Sequence, residues 1–218
     1  MEEKNKKAFA GEAKTYGQVD YWRFDEEYLV NKYFKKKGAN LLILGCGGGR
    51  TIIPLQEKGF KITAIDIVPE MVAEAKKRAE NLGVKILEMD AIDLKFSDNS
   101  FDYVFFPFHG IDNVYPDGYK CVREVRRVLK KGGVFIFNSH NRFFLKKLHK
   151  FYKKYDYYGQ YKQYRFSFFN VIKLRKYFKT VKFKHRISML DPKQANFKDK
   201  CYRLFPIFDR SIYFICKL

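Results

Sequence analysis

The sequence predicts an α/β fold of the doubly wound type, in which a mostly parallel sheet carries helices on both faces. Short apolar runs alternate with helical patterns over residues 41–138, as strands and crossover helices do in parallel sheets. A glycine-rich turn, Gly45-Cys46-Gly47-Gly48-Gly49, follows the first of these runs. The last two predicted strands lack a regular helix between them, which favours an antiparallel pair.

Apolar periodicity and the positions of glycine and proline define the first elements. Residues 1–40 are predicted to form an N-terminal helical cap, because aromatic residues and Leu29 recur at helical spacing before Gly38. Five strands are predicted over residues 41–44, 61–66, 84–89, 101–106 and 134–138. Helices are predicted over residues 51–58, 69–82 and 116–131, each followed by glycine.

The pattern changes in the last third of the chain. Residues 141–168 are basic and aromatic without strand–helix alternation, and residues 170–178 read as a helix. The last two strands are predicted over residues 180–187 and 211–218. We expect one domain over residues 1–218, built from four parts: the cap (1–40), a cofactor-binding core (41–138), a basic aromatic insertion (139–170) and a closing helix and strand pair (171–218).

Charge is distributed unevenly along the chain, which has a formal net charge of +20. Residues 1–118 contain 17 Lys/Arg and 19 Asp/Glu, whereas residues 119–218 contain 27 Lys/Arg and 5 Asp/Glu. Such a concentration of positive charge predicts that the second half faces an anionic partner. Nucleic acid, a phosphorylated or carboxylated small molecule and a membrane surface all meet that description.

Several classes of protein are not indicated. The N-terminus lacks a basic leader followed by an apolar stretch, so no signal peptide is predicted. No apolar run approaches the roughly 18 residues of a membrane span. The four cysteines are far apart and show no paired spacing. We therefore expect a cytoplasmic protein with neither a disulfide framework nor a metal site.

The glycine turn and the carboxylate after it form the strongest functional signal. Asp66 closes the second predicted strand, 21 residues after Gly45. An acidic residue about 20 residues beyond a strand–glycine turn is where a doubly wound sheet holds ribose hydroxyls. The spacing therefore predicts a nucleotide-like cofactor whose ribose binds Asp66.

The turn itself differs from two common cofactor motifs. A dinucleotide site uses G-x-G-x-x-G, but Gly45, Gly47 and Gly49 give G-x-G-x-G, and Arg50 occupies the next position. No G-K-[ST] follows, which excludes a phosphate-binding P-loop. The backbone is therefore expected to pass close to a ligand that lacks a pyrophosphate.

The end of the third predicted strand supplies a second carboxylate. Asp90, followed by Ala91-Ile92, lies where the carboxyl ends of neighbouring parallel strands share one edge of the sheet. The Asp90 carboxylate can accept a hydrogen bond from an exocyclic adenine amine, and the Ala91 N–H can donate to a ring nitrogen. The ligand is therefore predicted to carry adenine as well as ribose.

The order and spacing of these motifs resemble those of class I S-adenosylmethionine-dependent methyltransferases of the small-molecule type. The matching stretches are LLILGCGGGR, ITAIDIVPEMVAEAKKRA, ILEMDAIDLKFSDNSFDYVFF and CVREVRRVLKKGGVFIF, which cover residues 41–138. The resemblance implies a Rossmann-like, doubly wound seven-stranded sheet with an antiparallel last strand. It also implies S-adenosylmethionine as the cofactor and S-adenosylhomocysteine as the product.

The resemblance implies a role for each residue of the predicted cofactor site. Gly45, Cys46 and Gly47 would line the methionine part, and Asp66 would bind both ribose hydroxyls. The remaining implied contacts are with the adenine and the pocket floor: Ile67 and Met71 flank the ring, Asp90 and Ala91 read its edge, and Phe106 closes the floor. Gly49 and Ile92, beside these residues, complete the predicted set.

One position departs from the family pattern. Members usually carry an acidic residue two positions before the first glycine, where this chain has Ile43. That acid helps to organise the amine end of the cofactor's methionine. We expect another acid, Asp20 or Asp25 in the cap, to take its place.

Candidate catalytic residues follow the ends of the fourth and fifth strands. A general base is needed only where the acceptor stays protonated near neutral pH, as a sugar hydroxyl does. His140 and His109 are the candidates, and the alternative for each is a capping or packing role. Tyr16 in the cap is a candidate to fold over the cofactor, whereas His149 and His185 lie in basic stretches and are expected to be inert.

The basic segment admits three interpretations. Residues 141–186 interleave 15 Lys/Arg with 15 Phe/Tyr and a single acid, Asp156. Such a segment can form a lid over an acceptor pocket, or follow a nucleic-acid backbone while its aromatic rings stack on bases. It can also contact a membrane or a second copy of the chain.

Three functions therefore stay open at the level of the sequence. The first is methyl transfer to an oxygen or nitrogen of a small or glycan-linked acceptor, which can be anionic. The second is RNA methylation through the basic half, although Phe106-Pro107-Phe108-His109 lacks the Asn/Asp-Pro-Pro-Tyr/Phe motif of base-amine methylases. The third is a binding protein that holds S-adenosylmethionine without catalysis.

Overall fold

A seven-stranded sheet organises the part of the chain that the structure describes. The computed structural model of the protein describes residues 3–20, 22–114, 116–140, 170–185, 189 and 211–218. Within these residues seven strands pair with one another: β1 (Asn40–Leu44), β2 (Lys61–Asp66), β3 (Lys85–Glu88), β4 (Phe101–Phe106), β5 (Leu129–His140), β6 (Thr180–His185) and β7 (Ser211–Lys217). Their order across the sheet is β3-β2-β1-β4-β5-β7-β6.

The strand directions confirm the predicted mixed sheet. β1 is parallel to both β2 and β4, and parallel pairing continues to β3 on one side and to β5 on the other. β7 is antiparallel to β5 and β6, with Ile215 opposite Ile136 and Cys216 opposite Val181. The chain order of the strands reverses between β1 and β4, and ligands of open α/β sheets bind in the crevice at such a point.

Helices cover both faces of the sheet, as predicted. They are α1 (Glu3–Gly17), α2 (Phe24–Tyr33), α3 (Ile52–Glu57), α4 (Pro69–Arg78), α5 (Gly118–Val128) and α6 (Asn170–Leu174). Leu42 and Leu44 of β1 join the core cluster that contains residues of α5 and α6. Leu41 and Ile43, which alternate with them, join the cluster that contains residues of α2, α3 and α4.

The predicted cap consists of two helices, α1 and α2, with a short connection between them. The predicted helix over residues 116–131 is too long, since α5 ends at Val128 and β5 begins at Leu129. Leu129 pairs with Phe101 of β4, and the register then shifts. A Cβ at Gly133 would lie 2.8 Å from a backbone oxygen of β4, so this irregular start of β5 requires glycine.

Parts of the basic half fall outside the described structure. Residues 141–169 of the predicted insertion, including His149, lie outside the described residues, as does most of the connection between β6 and β7. Within the described part of the chain, no helix has the length and apolar character needed to cross a bilayer.

Asp102 on β4 ties three segments together. Its carboxylate accepts hydrogen bonds from Lys36 Nζ at 2.8 Å, from the backbone N–H of Asn40 at 2.9 Å and from Lys130 Nζ at 3.1 Å. Burial raises the pKa of this carboxyl, but these three donors outweigh it and lower the pKa to about 2. The ionised form of Asp102 therefore stabilises the junction of the cap, β1 and β5.

Asp102→Asn is expected to lower the free energy of unfolding by about 1 kcal/mol at neutral pH, a value reduced for solvent screening of the lysines. Because the folded-state pKa is lowered, this stabilisation is complete above the ordinary value of 3.8 and disappears as the pH falls towards about 2. Urea unfolding at several pH values measures the difference. The control is Asp93→Asn, whose pair with Lys95 is exposed, and an equal loss there would contradict the role of Asp102.

Candidate active site

A cavity of about 680 Å³ lies at the carboxyl ends of the parallel strands, beside the point where their order reverses. Residues that follow β1, β2, β3 and β4 line it, and His140 contributes from the end of β5. The cap also contributes lining residues: Phe9, Glu12, Thr15 and Tyr16 of α1, then Val19 and Arg23. The sheet edge and the cap therefore share one cavity.

Two glycines show why most positions of the turn after β1 lack a side chain. Gly45 has φ +57°, and a Cβ there would lie 2.7 Å from the ring of Phe106. A Cβ at Gly48 would lie 2.5 Å from the backbone nitrogen of Gly17, at the end of α1. The bare backbone therefore lets both the Phe106 ring and the end of the cap helix approach the turn closely.

Asp66 anchors the turn from the end of β2. Its Oδ2 accepts the N–H of Gly47 at 2.8 Å, and its Oδ1 accepts the N–H of Val68 at 3.0 Å. A carboxylate offers about four acceptor positions, so two hydrogen bonds leave capacity for hydroxyl donors of a ligand. Burial raises the pKa of the Asp66 carboxyl, although these backbone donors lower it.

The segment after β3 lines the same cavity. Asp90 Oδ1 accepts the N–H of Ile92 at 3.1 Å, which holds the carboxylate at the start of the turn. Met89, Asp90 and Ala91 all line the cavity, and so does Ile67 after β2. Carboxylate, backbone and apolar surface thus come together where the adenine was predicted.

The structure brings most of the predicted cofactor residues into the cavity lining: Tyr16, Gly45, Cys46, Gly47, Asp66, Ile67, Met71, Asp90, Ala91 and Phe106. It does not place Gly49 and Ile92 there. Gly49 faces α4, where a Cβ would lie 3.2 Å from Ala75 Cα, and Ile92 packs against the hydrophobic core. These two residues therefore support the site through packing and do not line it.

The two cap acids suggested as substitutes at Ile43 do not line the cavity. Asp20 is exposed, and Asp25 is buried in an ion pair with Arg23. Glu12 of α1 lines the cavity instead. The sequence missed this carboxylate because nothing local shows that α1 returns over the glycine turn.

A buried carboxylate holds His140. Asp112, in the 3₁₀ turn Gly110–Asn113 after β4, has a fully buried side chain whose Oδ2 lies 2.9 Å from His140 Nδ1. The same oxygen accepts the backbone N–H of His140 at 2.8 Å, and Ser139 Oγ donates to Oδ1. Burial raises the pKa of Asp112, and the hydrogen bonds from His140 and Ser139 oppose that shift. The imidazole therefore has a fixed orientation.

His109 stacks on His140. The ring centroids are 3.8 Å apart with an interplanar angle of 15°, and both residues line the cavity. His109 Nε2 lies 2.8 Å from Ser211 Oγ, and its backbone N–H donates to Asn138 Oδ1 at 2.9 Å. The two predicted histidines therefore lie side by side. A ring nitrogen of His140 contacts the Asp112 carboxylate, and a ring nitrogen of His109 contacts the Ser211 hydroxyl.

The sequence is similar to a known domain family and to known proteins. The family model described as methyltransferase domain matches residues 42–137. A demethylmenaquinone methyltransferase from Staphylococcus epidermidis is 33% identical over 127 residues, which cover 56% of this chain and 50% of that relative. Residues 42–137 therefore form a methyltransferase domain. The chain spans about half the length of the curated relatives it matches.

Solved structures of methyltransferases have the same fold as this chain. Phosphoethanolamine N-methyltransferase 2 from Haemonchus contortus, in complex with phosphomonomethylethanolamine and S-adenosylhomocysteine, has a TM-score of 0.69 at 18% identity. The match covers 95% of this chain and 57% of that chain. A Thermotoga maritima S-adenosylmethionine-dependent methyltransferase, described as a possible histamine N-methyltransferase, has a TM-score of 0.65 at 23% identity and covers 98% of both chains.

The cavity fits S-adenosylmethionine, the cofactor that the sequence predicts. Its volume lies within the roughly 300–1,000 Å³ of small-molecule sites. Asp66 and Asp90 offer acceptors at the ends of adjacent strands. A Cβ at Gly47 would point towards Tyr16 and Met71, at 3.9 and 4.0 Å, so the missing side chain leaves room between the turn and the cap.

Arg78→Gln is expected to weaken binding of S-adenosylhomocysteine about tenfold. Arg78 on α4 donates to the backbone carbonyls of Gly17 and Val19, and so holds the chain that follows α1 beside the cavity. Loss of two charge-assisted hydrogen bonds should free this segment, at a net cost of about 1.5 kcal/mol in binding. Calorimetric titration measures the change. Lys77→Gln, on the exposed side of α4, is the control, and equal affinities in all three proteins would contradict closure by the cap.

Proposed function

We propose that this chain transfers the methyl group of S-adenosylmethionine to an oxygen or nitrogen of a small-molecule acceptor. The observation that carries the proposal is that Asp66, Asp90 and the Asp112–His140 pair belong to one cavity or support its lining. A nucleoside-binding edge and an oriented imidazole at the same cavity are the parts that a base-assisted methyl transfer needs.

The residues of this chain would hold the cofactor in the order of its parts. The turn at Gly45–Gly47 and Glu12 of the cap would receive the methionine end, Asp66 the ribose, and Asp90 with Ala91 the adenine. When bound, S-adenosylmethionine supplies a methyl group on a positively charged sulfur that leaves as a neutral thioether. The chain's own contribution is then alignment of the acceptor and exclusion of water.

His140 would act as the general base. The buried Asp112 carboxylate lies against Nδ1 and thereby keeps the proton on that nitrogen, so Nε2 is the ring's acceptor. An acceptor hydroxyl or amine would lose one proton to Nε2 as it gains one methyl group. Asp112 is a positioning residue in this scheme, and the stacked His109 limits rotation of the His140 ring.

Residues of α1 form part of the cavity wall, which favours a small acceptor. Tyr16 and Phe9 of this helix line the cavity together with the sheet edge, so a ligand is enclosed by the cap as well as by the strand ends. A glycan-linked acceptor fits if only its end enters. RNA methylation would depend on the basic residues 141–186, and labelled RNA in the experiment below would indicate it.

Transfer of a radiolabelled methyl group tests the proposal. The protein is incubated with labelled S-adenosylmethionine and separate RNA, lipid and metabolite fractions, with His140→Gln in parallel. We expect label in the metabolite fraction with wild-type protein and little with the variant. Label in RNA would support the RNA methyltransferase, and cofactor binding without transfer to any fraction would support the binding protein.

A further inference from the structure

A cationic corner of the cavity has no part in the contacts proposed above. Arg23 and Arg50 both line the cavity, and their guanidinium carbons lie 5.7 Å and 5.1 Å from the centroid of the Phe108 ring. Each guanidinium is paired with a carboxylate whose side chain is fully buried, Asp25 for Arg23 and Glu26 for Arg50. The two pairs fix both arginines against one face of the cavity.

The two guanidinium groups differ in which of their nitrogens form hydrogen bonds. Arg50 makes a bidentate contact with Glu26 through Nη1 and Nη2, at 2.7 and 2.8 Å. Arg23 binds Asp25 through Nε at 3.2 Å and Nη2 at 3.1 Å. Among the residues that the structure describes, Nη1 of Arg23 has no hydrogen-bond partner, so two N–H donors remain for a ligand. With 80% of the side chain shielded, an acceptor oxygen there would form a charge-assisted hydrogen bond.

An aromatic wall connects this donor to the proposed base. Phe108 and His109 have φ of +55° and +61°, a left-handed conformation that is unfavourable for bulky side chains. The strained pair places the Phe108 ring beside the guanidinium groups and 6.2 Å from the His109 ring, which in turn stacks on His140. The wall therefore runs from Arg23 through Phe108 and His109 to His140.

We propose that Arg23 and Phe108 form the acceptor subsite, and that the acceptor is a small planar carboxylate. Its carboxylate would accept hydrogen bonds from Arg23 Nη1, its flat body would lie on Phe108, and its hydroxyl or amine would reach His140. This inference rests on the proposed methyl transfer and names the substrate class for it.

Matched acids and amides test the subsite. The probes are 2-, 3- and 4-hydroxybenzoate and the three corresponding hydroxybenzamides, which keep the ring and hydroxyl but lose the charge. Dissociation constants are measured by calorimetry in the presence of saturating S-adenosylhomocysteine. We expect at least one acid to bind wild-type protein about tenfold more tightly than its amide, because the Arg23 guanidinium then contacts a neutral oxygen instead of a carboxylate. Arg23→Gln should remove that preference.

Two further variants separate binding from folding. Arg23→Lys keeps a cation beside Asp25, so its thermal unfolding should match the wild type while the preference for acids falls. Arg126→Gln, on the exposed side of α5, is the control for loss of an arginine and should retain the preference.

Three results would overturn the proposal: no acid is preferred by the wild type, Arg23→Gln keeps the preference, or Arg23→Gln weakens S-adenosylhomocysteine but not 5′-methylthioadenosine. The last result would assign Arg23 to the cofactor's carboxylate. Failure of wild-type protein to bind S-adenosylhomocysteine would instead refute the proposed function itself.

Discussion

Replacing Asp66 with asparagine is expected to weaken binding of S-adenosylhomocysteine by about 100-fold. The carboxylate already accepts the N–H groups of Gly47 and Val68, and its remaining acceptor positions are those proposed for the two ribose hydroxyls. An asparagine side chain has one oxygen, so it turns an NH₂ group either towards a backbone N–H or towards the ribose. Two lost hydrogen bonds to a charged group correspond to about 3 kcal/mol, or roughly 100-fold in affinity. Calorimetric titration measures the dissociation constant of S-adenosylhomocysteine for both proteins.

The control for this variant is Asp20→Asn. Asp20 is an exposed cap residue outside the cavity lining, and its replacement removes the same charge. We expect its affinity to stay within twofold of the wild type. If Asp66→Asn also stays within threefold, Asp66 serves the turn alone and the cofactor's ribose binds elsewhere.

Replacing His140 with glutamine is expected to lower the turnover number for methyl transfer by about 100-fold to 1,000-fold, in the lower part of the usual 10²–10⁴-fold contribution of a general base. Glutamine has a similar reach but cannot take a proton. Affinity for S-adenosylhomocysteine should stay within threefold, because Asp66 and Asp90 are unchanged. Turnover is measured with the metabolite fraction that accepts label. A turnover number within threefold of the wild type would show that His140 only caps the end of β5.

Asp112→Asn provides a readout that a purely structural role would not produce. Both N–H groups of His140 face Oδ2, so the asparagine is expected to keep its oxygen there and to turn its NH₂ group towards Ser139 Oγ. The ring keeps its tautomer but loses the negative charge that stabilises the protonated imidazole, so we expect turnover to fall about tenfold, less than in His140→Gln, with unchanged cofactor affinity. Ser139→Ala, which loses the hydrogen bond to the other carboxylate oxygen but keeps the His140 contact, should be much milder.

Local sequence signals were sufficient for the sheet and for the placement of Asp66 and Asp90 at one edge of it. The run Leu41–Leu44 is apolar throughout because both faces of β1 are buried by helices, and that pattern is visible without a structure. Asp66 and Asp90 follow from strand ends alone, because the carboxyl ends of parallel strands share one edge. Their positions at the cavity required no knowledge of distant contacts.

Contacts between distant segments account for what the sequence did not predict. Asp112 supports His140 across 28 residues, which depends on the pairing of β4 with β5. Glu12 lines the cavity because α1 returns over the glycine turn, an arrangement held partly by Arg78 on α4. The early start of β5 at Leu129 depends on its pairing with Phe101, whereas the local sequence there is compatible with a helix.

A crystal structure of the chain with S-adenosylhomocysteine tests most directly whether one cavity serves cofactor binding and base catalysis. We predict density for the ribose hydroxyls at the Asp66 carboxylate, for the adenine edge at Asp90 and Ala91, and for the sulfur on the side of the cavity that His140 lines. A nucleoside bound outside this cavity, or a sulfur separated from His140 by protein, would contradict the proposed site.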